Sequence, residues 1–461
     1  MRIIPAFAAP LALTLSCAFV PAAFAQDAGK AITAASPDGS LVVSVSVDND
    51  GRPVYTLTRK GKLLVGASML GFIVADGPTM ARGNRITGSE TASGKETWEQ
   101  PWGARRFVND SHNDLLVKFE QVPEWGSRRM NVRFRLFNDG YGLRYELPEQ
   151  PAMKTMKIAD ELTEIALTQN GTAWWIPGGE WNRYEQVYQK TAIDGVSTAH
   201  TPITMKLEDG THLAIHEAAL VDYSAMWLKR VTGTTFRSTL SPSPGGPKVV
   251  RDLPFNTPWR TIRIADSAKG LVENDLELNL NEPNKLGDVS WFKPMKYIGI
   301  WWGMIRGDWS WAQGPKHGAT TARTRQYIDF AAKNGFGGVL VEGWDKGWNG
   351  NWFGNGKEFS YTQATPDFDL EAVTKYAAKK GVQLIGHHET GGNIANYEAQ
   401  LEDALKLYDK LGVRAVKTGY VADAGGILAP GDTPDTYRME YHDGQRQVRH
   451  HLKVVETAAR Y

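Results

Sequence analysis

The sequence predicts a multidomain β plus α/β protein, in which an antiparallel β-sandwich is followed by an incomplete (β/α)8 TIM barrel. Its 461 residues are too many for a single hydrophobic core, so at least two domains are expected. Short alternating strands separated by Gly-rich turns fill the chain to about Leu280. After Trp291, apolar strands alternate with helices, which is typical of a parallel α/β unit.

The amino-terminal strands are indicated by a hydrophobic period of two. Leu41–Val47 alternates apolar and polar residues, as a half-buried strand does, and Asn49–Gly51 then predicts a turn. Met130–Phe137 has the same pattern and ends at a hairpin-type turn in Asn138–Gly140. Many short strands of this kind predict a large sandwich, which we assign to residues 26–290.

Four apolar strands with helices between them follow. Their ranges are Tyr297–Gly303, Gly337–Glu342, Val382–Glu389 and Val413–Tyr420. Polar and aromatic residues gather just past each strand, where the carboxy-terminal mouth of a (β/α)8 barrel holds its active site. A doubly wound sheet alternates in a similar way. Since no Gly-rich phosphate loop follows the first strand, the barrel is the better interpretation.

The barrel pattern is incomplete. Gln445–Tyr461 predicts the fourth helix, and the sequence stops where a fifth strand is expected. Half a barrel would leave an apolar sheet edge unpaired. We therefore expect residues 291–461 to be the first half of a truncated barrel, and the chain to be the amino-terminal part of a longer gene product.

Residues 1–25 predict a secretory signal peptide. Arg2 supplies a positive start, Ile3–Val20 is largely apolar, and Ala23–Ala25 fits the small-x-small cleavage rule. Because Pro residues interrupt the apolar run, we expect no membrane span in the mature chain. The single cysteine, Cys17, lies in this segment, so disulfides and Cys-ligated metals are excluded after cleavage. The protein is expected to be secreted, to a bacterial periplasm or beyond.

Composition limits the partners. Lys and Arg total 52 and Asp and Glu total 51, so a formal charge of +1 argues against nucleic acid or an anionic membrane as the main partner. The chain also has 16 Trp residues, and a surplus of indole faces is typical of proteins that stack on sugar rings. Any single Trp is equally interpretable as core filler.

Glu389 is the strongest catalytic candidate. Hydrolysis of a glycosidic bond uses two carboxyl groups, one to protonate the leaving oxygen and one to activate water or attack carbon. Glu389 ends a predicted barrel strand beside His387 and His388. Since neighbouring strand residues point to opposite faces, only one of the two imidazoles is expected in the mouth. The alternative reading of Glu389 is a solvated loop carboxylate.

Further candidates for sugar binding lie on the same strands. Lys417 near the end of a buried strand needs a ligand or a paired carboxylate, and both readings stay open. Gly419 follows two residues later, where a carboxylate would serve as a nucleophile and Gly cannot. Trp301, Trp302 and Trp344 are placed at strand ends, where their rings could stack on sugars or pack in the core.

A loop at residues 174–185 differs from an ordinary strand. It holds Glu180 and Glu185 among aromatic residues, Pro and Gly. Carboxylate oxygens suit Ca²⁺, although two surface glutamates are the default reading.

At these residues the sequence resembles glycoside hydrolase family 97, which includes secreted bacterial α-glucosidases and α-galactosidases. The resemblance covers essentially the whole mature chain, including the family's amino-terminal β-super-sandwich. The segments that carry it are Ser36–Gly39, Trp98–Gly103, Phe137–Tyr145, Tyr297–Met304, Val341–Gly347, His387–Thr390 and Val416–Tyr420.

The resemblance implies a mechanism. Retaining members have an Asp nucleophile at the position of Gly419, whereas inverting members have Gly there and use the Glu that corresponds to Glu389 as general base. The chain is similar to the inverting branch, which implies an α-glucosidase acting on malto-oligosaccharides. Lys417 and His387 match substrate-binding positions. Glu185 matches a Ca²⁺ ligand, with Glu180 as the substitute if the local register differs.

The resemblance also implies that part of the machinery lies after residue 461. The family's general acid and most of its remaining Ca²⁺ ligands belong to the second half of the barrel, so we expect these residues expressed alone to be inactive. Two alternatives stay open. One is a retaining α-galactosidase of the same family, and the other is a carbohydrate-binding protein without catalysis. Oligomeric state is not predicted by the sequence.

Overall fold

The structure is a computed structural model that describes residues 31–182, 184–421 and 440–461. The predicted signal peptide and Cys17 lie outside the described residues. Within the described ranges, no helix combines the length and the apolar character that a membrane crossing requires.

The amino-terminal part is built almost entirely of strands, joined by two short 3₁₀ helices at Pro123–Trp125 and Ile193–Gly195. Its strands are β1 Ile32–Ala35, β2 Leu41–Val47, β3 Pro53–Arg59, β4 Lys62–Met69, β5 Phe72–Val74, β6 Asn84–Glu99, β7 Phe107–Gln121, β8 Arg129–Phe137, β9 Gly140–Leu147, β10 Thr155–Glu161, β11 Glu164–Ala166, β12 Gly171–Trp175, β13 Gln189–Ala192, β14 Thr198–His200, β15 Ile203–Leu207, β16 His212–Ala218, β17 Met226–Thr232, β18 Thr235–Leu240, β19 Val249–Asp252, β20 Phe255–Asn256 and β21 Trp259–Ala265.

Antiparallel sheets pack against one another to form this part. The largest has ten strands and runs β13-β12-β15-β16-β21-β9-β8-β7-β6, with β20 paired to β9. A second sheet has the order β1-β2-β3-β4. The core lies between sheets, because Tyr55 of β3 contacts Phe134 of β8 with ring centroids 5.4 Å apart. The period of two is realised in β2, where Leu41, Val43 and Val45 are buried.

A buried ionic cluster holds the sandwich core. Arg260 of β21 donates to Glu161 at 2.7 Å and to Glu217 at 2.6 Å, and all three side chains are buried. Burial acts to raise the pKa of Glu161, but the charge and hydrogen bonds of Arg260 outweigh it and hold the pKa below its usual value. Burial dominates at Glu217 and raises its pKa to about 7. The cluster is stable only while Arg260 supplies the positive charge.

Two short helices, α1 Ala268–Val272 and α2 Leu276–Leu280, end the β-rich part. After them, strands and helices alternate along the chain. The elements after them are β22 Tyr297–Gly299, α3 Trp301–Ile305, α4 Thr321–Asn334, β23 Gly338–Leu340, β24 Asp345–Lys346, the 3₁₀ helix Trp352–Gly354, β25 Ser360–Ala364, α5 Leu370–Lys379, β26 Gln383–Glu389, α6 Ile394–Leu411, β27 Val416–Gly419 and α7 Gln445–Ala458.

The central element here is a parallel sheet with strands in sequential order, β22-β23-β26-β27. Helices follow these strands, as in an α/β unit. Among the described residues, the outer strands β22 and β27 pair on one side only. The mostly β amino-terminal part followed by an α/β part agrees with the predicted class, whereas a closed barrel is not formed by the four strands.

Local sequence explains the helix ends. Thr320 caps α4, its side chain accepting from the Arg323 N–H at 3.2 Å, and Gly335 ends that helix at φ 72°. After this helix the chain returns to the sheet, where β23 pairs in parallel with β22. Gly386 lets α6 approach β26, because a Cβ there would overlap the Tyr408 ring.

The first predicted strand of this part is wrong in its length. Tyr297–Gly303 was expected to be one strand, but β22 stops at Gly299 and Trp301–Ile305 is the helix α3. A short continuous apolar run is compatible with either structure, so periodicity could not separate them.

Candidate active site

The parallel register brings the candidate residues together. Strands β26 and β27 pair His387 with Lys417 and Glu389 with Gly419. Alternation along β26 then places His387 and Glu389 on one face of the sheet and His388 on the other. The predicted residues of these two strands therefore form one cluster at the carboxyl ends of the strands.

Glu389 is a buried carboxyl group at the end of β26. Its Oε1 accepts the N–H of Gly391 at 2.9 Å and the N–H of Val421 at 3.0 Å. Burial raises the pKa of Glu389 to about 7, and the nearby charge of Glu342 adds to the rise, while the two backbone donors lower it. A group with this pKa can exchange protons near neutral pH, as a general base must.

Gly419 makes room for that carboxylate. A Cβ built on residue 419 would overlap Glu389 Oε2, so any larger residue here displaces the Glu389 side chain. The carboxylate of β26 thus fills the space in which a side chain from β27 would begin.

Glu342 is a site residue that the sequence reasoning did not single out. It lies two residues after β23, and its buried carboxylate accepts from Lys417 Nζ at 2.7 Å and from Trp311 Nε1 at 3.2 Å. His387 Nε2 lies 3.7 Å from the same oxygen as Lys417. Of the two readings of Lys417, the structure contains the paired carboxylate. The side chain remains 46% exposed, which leaves donors for a ligand.

His387 has an unused hydrogen-bonding atom. The residue is buried, Nδ1 has no hydrogen-bond partner among the described residues, and its ring centroid lies 5.7 Å from that of Trp348. Burial, and then the positive charge of Lys417, lower the pKa of His387 to about 3, so the imidazole is neutral at neutral pH. A neutral ring beside an ion pair can hydrogen bond to a sugar hydroxyl.

His388 belongs to the opposite face. Its Nδ1 is 2.9 Å from the hydroxyl oxygen of Tyr397, and its ring stacks on that of Tyr408 with centroids 4.7 Å apart. Burial lowers the pKa of His388 to about 3. This imidazole therefore packs and hydrogen bonds behind the sheet.

Asp345, in β24, is a second carboxyl that the sequence reasoning missed. It is fully buried, and its Oδ1 accepts from Trp348 Nε1 at 2.8 Å. Burial raises the pKa of Asp345 well above its ordinary value, and the charge of Glu389 adds to the rise. Glu342 is the last residue of the predicted strand Gly337–Glu342 and Asp345 follows it by three residues, so their position at and past a strand end was the available signal.

A hydrogen-bonded chain supports the segment beside Glu389. The Tyr420 hydroxyl lies 3.0 Å from His450 Nε2, and His450 Nδ1 lies 2.9 Å from Glu398 Oε1. Because a carboxylate only accepts, Nδ1 carries the ring proton and Nε2 accepts from Tyr420. Val421, whose N–H binds Glu389, is the next residue along the chain. Helix α7 thereby anchors the donor that orients Glu389.

The predicted aromatic residues lie in different surroundings. Trp344 is buried in the core, packs on Phe368 and Tyr408, and donates Nε1–H to the backbone oxygen of His387 at 2.9 Å. Its ring has no face open to a ligand, so the expected sugar stacking is corrected to a supporting role. Trp301 and Trp302 are 42% and 61% exposed, and they lie in the first turn of α3, which begins two residues after β22 ends.

Glu185, the predicted metal ligand, is exposed, as is Glu180. Burial is the largest cause of both the raised pKa of Tyr184 and the lowered pKa of His442, and the charge of Glu185 makes a smaller upward contribution to each. Among residues 31–182, 184–421 and 440–461, no three His, Cys, Asp or Glu side chains are placed to hold a metal ion together. Glu185 by itself supplies one carboxylate.

Comparison with known proteins defines the family. The model described as glycosyl-hydrolase 97 N-terminal matches residues 34–283, and the model described as glycoside hydrolase 97 matches residues 301–461. A retaining alpha-galactosidase of Bacteroides thetaiotaomicron is 24% identical over 432 residues, which cover 86% of this chain and 60% of that protein.

Solved structures agree with these matches. A glycoside hydrolase family 97 enzyme from Pseudoalteromonas sp. strain K8, in complex with acarbose, is 48% identical with a TM-score of 0.89 and covers 93% of this chain. A beta-arabinopyranosidase at 19% identity has a TM-score of 0.73, covers 94% of this chain and 65% of its own, and shows likeness of fold alone. The chain spans 60% of the curated relative and 65% of the Pseudoalteromonas enzyme.

These matches place both the β-rich part and the α/β part of the chain among the glycoside hydrolase families. More narrowly, the chain belongs to glycoside hydrolase family 97.

Proposed function

We propose that this chain forms the base-bearing part of an inverting α-glucosidase that acts on malto-oligosaccharides, on the first half of a (β/α)8 barrel. The observation that carries the proposal is that the Glu389 carboxylate occupies the space where a side chain at Gly419 would begin. A retaining enzyme needs a nucleophile, and the position from which the resemblance expects one has no side chain. The carboxyl group is supplied by the neighbouring strand instead.

In this proposal, Glu389 accepts a proton from a water molecule while the water oxygen attacks the anomeric carbon. The glycosidic bond breaks, and its oxygen takes a proton from a general acid that is not assigned among the described residues. Inversion requires the base and the acid to be about 6.5–9.5 Å apart, which leaves room for the water. Buried carboxyl groups with raised pKa values suit such proton transfers near neutral pH.

Substrate binding is assigned to Lys417, Glu342 and His387. The ion pair offers a donor and an acceptor in fixed geometry, and His387 Nδ1 offers a buried polar atom with no other partner. Buried unpaired polar groups are costly unless a ligand satisfies them. Trp301 and Trp302 remain candidates for stacking on more distant sugar units.

The choice of glucosides is supported by one relative. The Pseudoalteromonas enzyme has been solved with acarbose and, as an E480Q variant, with panose, an oligosaccharide of α-linked glucose. The second candidate function is a retaining α-galactosidase, which the name of the Bacteroides relative favours. That reading needs another carboxylate to replace the one missing at residue 419.

Calcium remains part of the proposal through Glu185. The described residues do not by themselves fit the ion, since Glu185 is exposed and Ca²⁺ takes six to eight oxygen ligands. No step above depends on it. Export to a bacterial periplasm or beyond is likewise proposed from the sequence of residues 1–25 alone.

The test uses the full-length gene product with maltose, p-nitrophenyl α-glucoside and p-nitrophenyl α-galactoside. Proton NMR of the glucose first released from p-nitrophenyl α-glucoside should show the β-anomer. Initial α-anomer, or turnover of the galactoside alone, would contradict the proposal in favour of the second candidate. Binding of maltose without any turnover would favour a non-catalytic carbohydrate-binding protein. Activity that is unchanged by a chelator would show that the enzyme does not require calcium.

A further inference from the structure

Three buried polar atoms without a hydrogen-bond partner lie behind Glu389. They are Asp345 Oδ2, the Tyr361 hydroxyl and His388 Nε2. All three residues are fully buried. Buried side-chain polar atoms are paired in most proteins, so three orphans in one region need an explanation.

The three residues share one cage. The Tyr361 ring lies 5.1 Å from that of His388, and the His388 ring stacks on Tyr408 at 4.7 Å. Asp345 lies on β24, which pairs with β25, the strand that contains Tyr361. The other carboxyl facing Asp345 is Glu389, and the neutral Trp348 indole occupies Oδ1.

Donors and acceptors in this cage match one water molecule. Internal waters make about three hydrogen bonds to otherwise unsatisfied buried groups. If the Tyr397 hydroxyl donates to His388 Nδ1, then His388 Nε2 carries a proton to donate. A water can accept from His388 Nε2–H and from a protonated Asp345, and donate to the Tyr361 oxygen.

We propose that Asp345 is held in the neutral acid form beside the Glu389 site and is hydrogen bonded to one internal water that Tyr361 and His388 share. The link to Glu389 as base rests on the proposed function, whereas the water and the protonation do not. With Asp345 neutral, the charge on this side of the site is confined to Glu389 and the pair Glu342–Lys417. An ionised Asp345 would instead oppose ionisation of the base.

The test is thermal unfolding of Asp345→Asn against pH. Asn keeps the shape, accepts from Trp348 and donates through its amide, so it mimics the neutral acid. When the pKa of a carboxyl is higher in the folded state than in the unfolded state, the folded protein becomes less stable as pH increases. The loss begins near the unfolded pKa of about 3.9 and continues up to the folded pKa. We expect D345N to raise Tm at pH 7.5 by about 2 °C or more, and the gain to vanish towards pH 4.

A D345N protein with lower Tm at pH 7.5, or a gain independent of pH, would overturn the neutral assignment. Tyr361→Phe removes one partner of the water and should lower Tm at every pH, whereas the control Tyr376→Phe removes a surface hydroxyl. A high-resolution crystal structure should show one water touching all three atoms, and a dry or absent cavity would overturn the water site.

The enzymatic readout tests whether Asp345 carries a charge near Glu389. In D345N, the apparent pKa of the acid limb of the kcat/KM profile should stay within about 0.3 pH units of the wild-type value. This difference corresponds to a free energy well below that of one hydrogen bond. A fall of that limb by one unit or more would mean that an ionised Asp345 had been removed. Should the gene product prove inactive, the proposed function fails alone, because the Tm series still tests the protonation.

Discussion

The carboxylate of Glu389 occupies the space that a side chain at Gly419 would fill, although the two residues lie on adjacent strands. They are register partners in the parallel pair β26–β27, and a Cβ on residue 419 would overlap Glu389 Oε2. Neither position can therefore be interpreted without the other.

Gly419→Ala should disable the site while leaving the fold in place. The added methyl group displaces the Glu389 carboxylate from its two backbone donors, so kcat should fall about 10²-fold or more, the range of a lost general base. The matched control is Gly354→Ala, because nothing lies within 4 Å of a Cβ there. Equal activity of both variants in the full-length product would show that Glu389 does not need its observed position.

The pH dependence should follow the protonation of Glu389. Burial raises its pKa to about 7, and a base must be ionised, so kcat/KM should increase with pH through about 7. Glu389→Gln should lower kcat about 10²- to 10⁴-fold. The control Glu371→Gln changes an exposed carboxylate paired with Lys375 and should leave the profile unchanged.

Tyr420→Phe should shift that profile upward. Without its bond to His450, the segment that presents the Val421 N–H is held less firmly, and the ionised form of Glu389 loses stabilisation. One hydrogen bond of about 1 kcal/mol corresponds to about 0.7 pH units in the acid limb. Tyr376→Phe again serves as control. A lower kcat with an unmoved acid limb would indicate that Tyr420 acts through packing alone.

Arg260→Met should destabilise the sandwich strongly. It leaves Glu161 and Glu217 buried without their cation, which typically costs 3–5 kcal/mol of unfolding free energy. Denaturant unfolding measures the loss. The exposed pair Arg106–Glu99 provides the control, and Arg106→Met should match the wild type. A neutral outcome for Arg260→Met would mean that both carboxyls simply take up protons.

Much of the fold could be predicted from patterns of adjacent residues. The period of two located β2 and β8 within one residue of their ends, because half-buried strands must alternate. The run at Tyr297–Gly303 was misread because continuous apolar residues suit a strand or a helix equally well. Sequence signals therefore succeeded where one face of an element meets water.

The site was predicted less completely. Glu389 and Lys417 stood out as charges near the ends of apolar strands. Glu342 has the same position in its predicted strand and was overlooked, whereas Asp345 follows that strand as an ordinary loop residue does. Which loop carboxyls turn inward depends on partners distant in sequence, such as Lys417 for Glu342. Trp344 shows the reverse error, since strand-end position alone does not distinguish a ligand platform from a core residue.

The described end of the chain has a consequence for the order of folding. Asp443 accepts the Trp227 indole N–H at 2.8 Å, its backbone oxygen accepts from Ala225, and Gln445 at the start of α7 bonds to Asp222. These partners all lie in loops and strands of the sandwich. The sandwich is synthesised before the helix and leaves the ribosome first. Helix α7, which anchors Tyr420, therefore packs against a domain that is already synthesised. We expect the sandwich to fold first and the site around Glu389 to fold against it.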